Sequence, residues 1–148
     1  LFVLDEPFDG LNALVRDELI AGVLELHAAE GGTVFVSSHD IDEVERLADW
    51  VGIINDGRLQ MAEPIRSLQS PFRKIVATSP EIATIPALPA GWINLQTSGG
   101  GVKFVATNYQ PDVTEAEVRN VLGPCDRVAA HPMSLRDIFV ALAKTYRL

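Results

Sequence analysis

Two stretches decide the fold: Leu1-Phe2-Val3-Leu4-Asp5-Glu6-Pro7 and Thr33-Val34-Phe35-Val36-Ser37-Ser38-His39-Asp40. In the first, four apolar residues run straight into two carboxylates. This predicts a short strand buried on both faces, with the acids at its C-terminal tip. Pro7 cannot donate to a strand ladder and ends it. In the second, β-branched and aromatic residues form another strand, with Ser38 and His39 at its C-terminal edge. Between the two, Val15, Leu19, Val23 and Leu26, with Ile20 and Leu24 beside them, recur at helical spacing from Ala13 to Glu30, and Gly31-Gly32 ends that helix. Strand, helix and strand in this order predict a parallel α/β sheet.

Downstream, Asp40 is placed to cap a helix with Glu43 as its partner three residues on, and Ile41, Val44, Leu47 and Ala48 form the apolar stripe. A third strand, Trp50 to Ile54, reaches the turn Asn55-Asp56-Gly57 and returns as a hairpin over Arg58 to Ala62. The character changes between Pro64 and Pro71, which puts a domain boundary near residue 70, giving units 1–70 and 71–148. The second unit reads as strands at 74–78, 92–96 and 102–107, a helix over 113–122, a short strand near Val128 and a last helix from Leu135 to Tyr146. Ser134 and Asp137 form a capping pair for that helix, and Leu135, Ile138, Phe139, Leu142 and Tyr146 form its stripe. Ser98-Gly99-Gly100-Gly101 predicts a hairpin tip, and Trp92 and Phe104 are core candidates. A small α+β sandwich follows from this pattern.

At 148 residues and 47% hydrophobic, the chain can bury one ordinary core or two small ones. Its net charge of -8 is the wrong sign for coating nucleic acid or anionic lipid, and nucleic acid is excluded as a general partner. No stretch reaches the roughly 18 consecutive apolar residues of a membrane span. The single cysteine, Cys125, has no internal disulfide partner and no second Cys or His companion for zinc or nucleophilic chemistry. A soluble, cytoplasmic protein is the expectation. The chain opens on an apolar strand without an initiator Met, which predicts a piece of a longer protein.

Asp5 and Glu6 are the first candidates for chemistry. Adjacent residues on a strand point in different directions, so the two carboxylates serve different tasks. In phosphoryl transfer one carboxylate holds Mg²⁺, often through water, and another polarises the attacking water; Asp5 suits the first role and Glu6 the second. His39 stands at the tip of the neighbouring strand, where open α/β sheets place their ligands. An imidazole there can donate a hydrogen bond to a terminal phosphate. His27 and His131 have no ligand-like companions in the sequence.

Leu1 to Pro7 resembles the Walker B strand of the ABC ATPases, and Phe8-Asp9-Gly10-Leu11-Asn12 resembles the D-loop that follows it. Val34 to Leu59, with Ser37-Ser38-His39-Asp40, Asp42-Glu43-Val44-Glu45, Ala48-Asp49 and Ile53-Ile54-Asn55-Asp56-Gly57-Arg58, resembles the family's switch-histidine region. Three motifs in order are far more specific than any one, and the likeness covers roughly residues 1 to 70. It implies part of a P-loop NTPase sheet, with Asp5 assisting Mg²⁺, Glu6 as the catalytic carboxylate, and His39 contacting the γ-phosphate of ATP. It also implies a D-loop of Asp9, Gly10, Leu11 and Asn12. The family commonly carries Ser and Asp where this chain has Asp9 and Asn12, a departure that bears on coupling between subunits. The second unit, chiefly Met133 to Leu142, resembles the C-terminal accessory domain of export-type transporter ATPases.

The resemblance implies an ATPase that powers a transporter from the cytoplasmic face of the membrane. Its partners would be a transmembrane permease subunit and a second ATPase subunit, in a homodimer. The sequence holds no Gly-x-x-x-x-Gly-Lys-Ser/Thr loop to cradle phosphates and no Leu-Ser-Gly-Gly-Gln signature, so the chain by itself is expected to bind ATP weakly and not to turn it over. Two other readings share these motifs. One is an ATPase of DNA-repair or chromosome-maintenance type. The other is a noncatalytic module in which residues 72–148 pair or regulate subunits.

Overall fold

A computed structural model describes residues 1–55, 57–79 and 88–146. The chain forms two compact units, Leu1–Ala62 and Glu63–Leu148.

In the first unit, strand β1 (Phe2–Asp5), helix α1 (Ala13–Glu30) and strand β2 (Val34–Ser37) form the expected crossover. β1 and β2 pair in parallel, with Phe2 opposite Val34 and Asp5 opposite Ser37. Asn12 starts α1 by accepting a hydrogen bond from the Val15 N–H at 3.1 Å. Gly31 ends it in the left-handed region at φ 64, which a residue without Cβ adopts freely. Helix α2 (Ile41–Leu47) follows, and strands β3 (Trp50–Asn55) and β4 (Arg58–Pro64) pair in a separate two-stranded sheet. The hairpin turn falls where expected, with Gly57 at φ 69; Asp56 lies outside the described residues.

One expectation is corrected here. The apolar strand read as buried on both faces is largely exposed: Val3 is 66% and its cross-strand partner Phe35 is 61% accessible. A run of apolar residues reports the demand for cover, whereas the cover itself comes from neighbouring elements, and among the described residues β1 pairs only with β2. Likewise, of the α1 stripe only Ile20 is fully buried, alongside Phe8 from the turn after β1.

The second unit is an antiparallel sheet in the order β6-β7-β5-β8, built from β5 (Arg73–Thr78), β6 (Trp92–Ser98), β7 (Gly101–Ala106) and β8 (Arg127–Pro132). Helices α3 (Ile65–Gln69), α4 (Pro111–Leu122) and α5 (Leu135–Tyr146) complete it. The core gathers Ile75, Trp92, Val102, Phe104, Val118 and Leu122, with Cys125 buried beside them. Trp92 stacks on Phe104 at 3.8 Å between ring centroids, and its indole N–H donates to Glu117 at 3.1 Å, so the buried ring leaves no orphan donor.

Gly99 and Gly100, at φ 48 and 86, make the two-residue turn that a tight hairpin requires. α4 begins two residues earlier than its periodicity suggested, because Pro111 is preorganised for a first helical turn. On α5, Leu135, Ile138 and Ala141 are the buried residues, while Phe139 and Leu142 are half-buried. Ser134 caps that helix by accepting from the Asp137 N–H at 3.1 Å. The break between units falls at Ala62, ahead of the change in composition near residue 70, because α3 packs with α5.

Candidate functional site

Parallel pairing in register brings the tips of β1 and β2 to one edge, so the residues that follow each strand become neighbours. The N–H of Glu6 continues the ladder, lying 3.1 Å from the Ser37 carbonyl and 3.1 Å from the Ser37 hydroxyl oxygen. That hydroxyl in turn donates to the Asp5 carboxylate. Glu6 then turns out of the strand at φ 46, a left-handed backbone that costs a non-glycine residue on the order of 1–2 kcal/mol. Two successive turn bonds, Asp9 N–H to the Glu6 carbonyl and Leu11 N–H to the Phe8 carbonyl, both 3.2 Å, fold the following loop, and Gly10 takes φ 70 within it.

The strained turn aims the Glu6 carboxylate across to the other strand tip. Its Oε2 lies 2.9 Å from Nδ1 of His39 and 3.3 Å from the His39 backbone N–H. The hydrogen bond that His39 donates to the Glu6 carboxylate, then the charge of that carboxylate, raise the His39 pKa above the ordinary imidazole value; desolvation opposes this, and the charges of Asp9 and Asp40 add to it. A carboxylate at Nδ1 holds the proton on that nitrogen and leaves Nε2 for another partner. Both side chains are solvent-accessible, His39 at 74% and Glu6 at 39%.

Behind His39 lies a network that the sequence reading missed. Glu43, expected to complete a capping box with Asp40, is instead 5% exposed. It accepts from the Ser38 hydroxyl at 2.9 Å and meets Arg16 Nε at 3.0 Å, an ion pair without the alignment of a hydrogen bond. Ser38 itself accepts from the Asp40 N–H at 3.1 Å, so the hydroxyl does at the helix start what Glu43 was expected to do. Asp40 caps α2 by accepting from the Asp42 N–H at 3.0 Å. Arg16 also lies 3.6 Å from the Asp40 carboxylate and donates to the Leu11 carbonyl at 3.4 Å. The signal was present: Arg16 stands three and four residues before Leu19 and Ile20, on the inward face of α1.

The sequence-predicted residues therefore divide by place. Asp5, Glu6 and His39 share one edge with Ser37. Asp9, Gly10, Leu11 and Asn12 form the adjoining loop, in which Asn12 is engaged as the N-cap of α1. Asn and Asp cap helices about equally well, so the missing charge at position 12 leaves the helix start intact. His27 is tied to the end of α1, its Nδ1 2.6 Å from the Gly32 carbonyl, and His131 lies on β8 in the second unit. Among the described residues, no group of three or more His, Cys, Asp or Glu side chains is arranged to hold a metal ion.

No protein-family model matches the chain. Individual relatives do. It is 32% identical over 142 residues to the molybdenum import ATP-binding protein ModC of Rhodopseudomonas palustris, a match covering 91% of this chain and 35% of that protein. It is 31% identical over 144 residues to an uncharacterized ABC transporter ATP-binding protein of Alkalihalophilus pseudofirmus, covering 95% of this chain and 53% of that one. Over 74 residues it is 35% identical to the bacitracin transport ATP-binding protein BcrA of Enterococcus faecalis, covering 50% of this chain and 24% of that protein. The chain thus spans between about a quarter and about a half of the length of these relatives.

Proposed function

We propose, from the premise that this chain belongs to the ABC transporter ATP-binding subunits, that its first unit, Leu1–Ala62, carries the hydrolytic edge of an ATPase whose work drives transport across a membrane. The observation that supports it most is the 2.9 Å contact between Glu6 and His39 at the tips of two adjacent parallel strands. An acid and an imidazole held on one edge suit a reaction in which water attacks a terminal phosphate.

The donor set fits magnesium and nucleotide. Asp5, with the Ser37 hydroxyl beside it, offers the hard oxygen ligands that Mg²⁺ takes directly or through water. When bound, Mg-ATP supplies the phosphoanhydride to be cleaved and a cation to offset its charge. Asp5 would hold the ion, directly or through water. Glu6 holds and polarises the attacking water. In its protonated form His39 would present its Nε2–H toward the terminal phosphate, the Nδ1–H staying on Glu6. Asp9, Gly10, Leu11 and Asn12 form the loop through which two ATPase subunits of a homodimer would meet.

The second unit, Glu63–Leu148, forms a small accessory domain in this reading, and a transmembrane permease is the partner to which hydrolysis is coupled, with the subunit on the cytoplasmic face of the membrane. None of the described helices is long and apolar enough to cross a membrane. The relatives named for molybdenum import and for bacitracin transport are both ATP-binding proteins and differ in the cargo they are named for.

The test is ATP turnover by the whole protein with Glu6→Gln and His39→Ala. Each variant should lose turnover by on the order of 100-fold or more while still binding nucleotide. Full activity in both would remove the assignment.

A further inference from the structure

The tips of β1 and β2 deliver Glu6 and His39 to one edge, yet the His39 side chain is 74% exposed. Besides the Glu6 carboxylate at its N–H, its backbone is held through its two chain neighbours. Ser38 and Asp40, the residues on either side of it, are joined to each other by the 3.1 Å bond from the Asp40 N–H to the Ser38 hydroxyl. That hydroxyl is directed by the Glu43 carboxylate at 2.9 Å, and Glu43 is in turn neutralised by Arg16 at 3.0 Å. A carboxylate that is 5% exposed is costly unless both oxygens are occupied, and here each has a different partner. Oε2 takes the hydroxyl beside His39, and Oε1 takes a guanidinium that also reaches the Leu11 carbonyl in the loop after Glu6.

We propose that Glu43 is a positioning residue: through Ser38 it sets the seat of His39 against Glu6, and through Arg16 it ties that seat to the Asp9–Asn12 loop. This rests on the reading of Glu6 and His39 as the hydrolytic pair. An ordinary helix-surface glutamate would not be buried, and a capping glutamate would bond the helix start directly. Glu43 does neither: the hydrogen bond it accepts from Ser38 and its ion pair with Arg16 lead to the two segments that flank the site. Arg16 is the anchor of the arrangement, and the Ser38 hydroxyl is the link.

The experiment uses the whole protein with Glu43→Ala, Ser38→Ala and, as reference, His39→Ala. Two readouts are taken: kcat and KM for Mg-ATP, and the titration of the His39 imidazole by NMR without nucleotide. Loss of the link should lower kcat by on the order of 10- to 100-fold with KM for ATP little changed, because a displaced reacting group is punished in the transition state. The His39 titration should move back toward the ordinary imidazole value in both Glu43→Ala and Ser38→Ala. Ser38→Ala keeps the Arg16–Glu43 pair, so it serves where Glu43→Ala does not fold. A folded Ser38→Ala protein with the wild-type His39 titration and wild-type kcat overturns the proposal. Undiminished turnover in His39→Ala would instead remove the hydrolytic reading, while the titration still judges whether Glu43 and Ser38 seat the ring.

Discussion

Ser37 and Glu6 are joined twice: the N–H of Glu6 lies 3.1 Å from the Ser37 carbonyl and 3.1 Å from its hydroxyl oxygen. The same hydroxyl donates to Asp5, so one small side chain serves both neighbouring acids. Replacing it by alanine removes an acceptor from a strained residue and a donor from a carboxylate. Ser37→Ala should destabilise the chain by about 1–3 kcal/mol, read from the midpoint and slope of a denaturant titration. An unchanged midpoint would mean that the hydroxyl bonds are no better than those water supplies.

The Glu6–His39 contact has a definite pH signature. The folded-state pKa of His39 lies above the unfolded one because of the Glu6 carboxylate. The stability this contact adds is therefore fully present below the ordinary imidazole pKa of about 6.5 and is lost as pH rises through the raised folded value. NMR titration of the ring should show the elevated value in the wild type and a return toward the ordinary one in Glu6→Gln. The same elevated value in Glu6→Gln would assign the effect to Asp9 and Asp40 instead.

Backbone strain at Glu6 separates activity from stability. At φ 46, glycine should be preferred over alanine. Both Glu6→Gly and Glu6→Ala lose the carboxylate, and Glu6→Gly should be the more stable of the two by about 1 kcal/mol, the reverse of the usual order. Thermal unfolding of the two variants decides it; a more stable alanine variant would show that the turn relaxes out of the left-handed region.

Nucleotide affinity tests the division of labour within the proposed ATPase. The sequence has no glycine-rich loop with lysine to cradle phosphates, the part that supplies most of the grip on a nucleotide tail. Calorimetric titration of the chain with Mg-ATP should therefore give only weak heats. Micromolar binding would place a phosphate grip among residues not credited with one.

The fold was legible where local chemistry is decisive. α1 ends at a left-handed glycine that the sequence marked, whereas its Asn12 cap was read only as part of the preceding loop. α5 likewise runs from Leu135 to Tyr146 as its stripe and the Ser134 cap indicate. The edge shared by Asp5, Glu6 and His39 followed from strand, helix, strand order, because a parallel crossover puts both C-terminal tips on one side. Glu43 and Arg16 escaped for a physical reason. Burial of an ion pair depends on how α1 and α2 face one another, and charge in a sequence reads first as surface. The exposure of Val3 and Phe35 escaped for the opposite reason: apolar residues advertise burial whether or not a neighbour arrives.

That two-stranded ribbon carries a practical cost for anyone handling the chain. Val3 and Phe35 are register partners on an exposed apolar strip, in strands whose outer rims have no ladder mate among the described residues. Such a surface recruits strands from other molecules, and a net charge of -8 restrains that only while salt is low. In concentrated, salted solution, self-association is therefore expected to start from these few side chains, far in sequence from the buried core around Trp92 and Phe104.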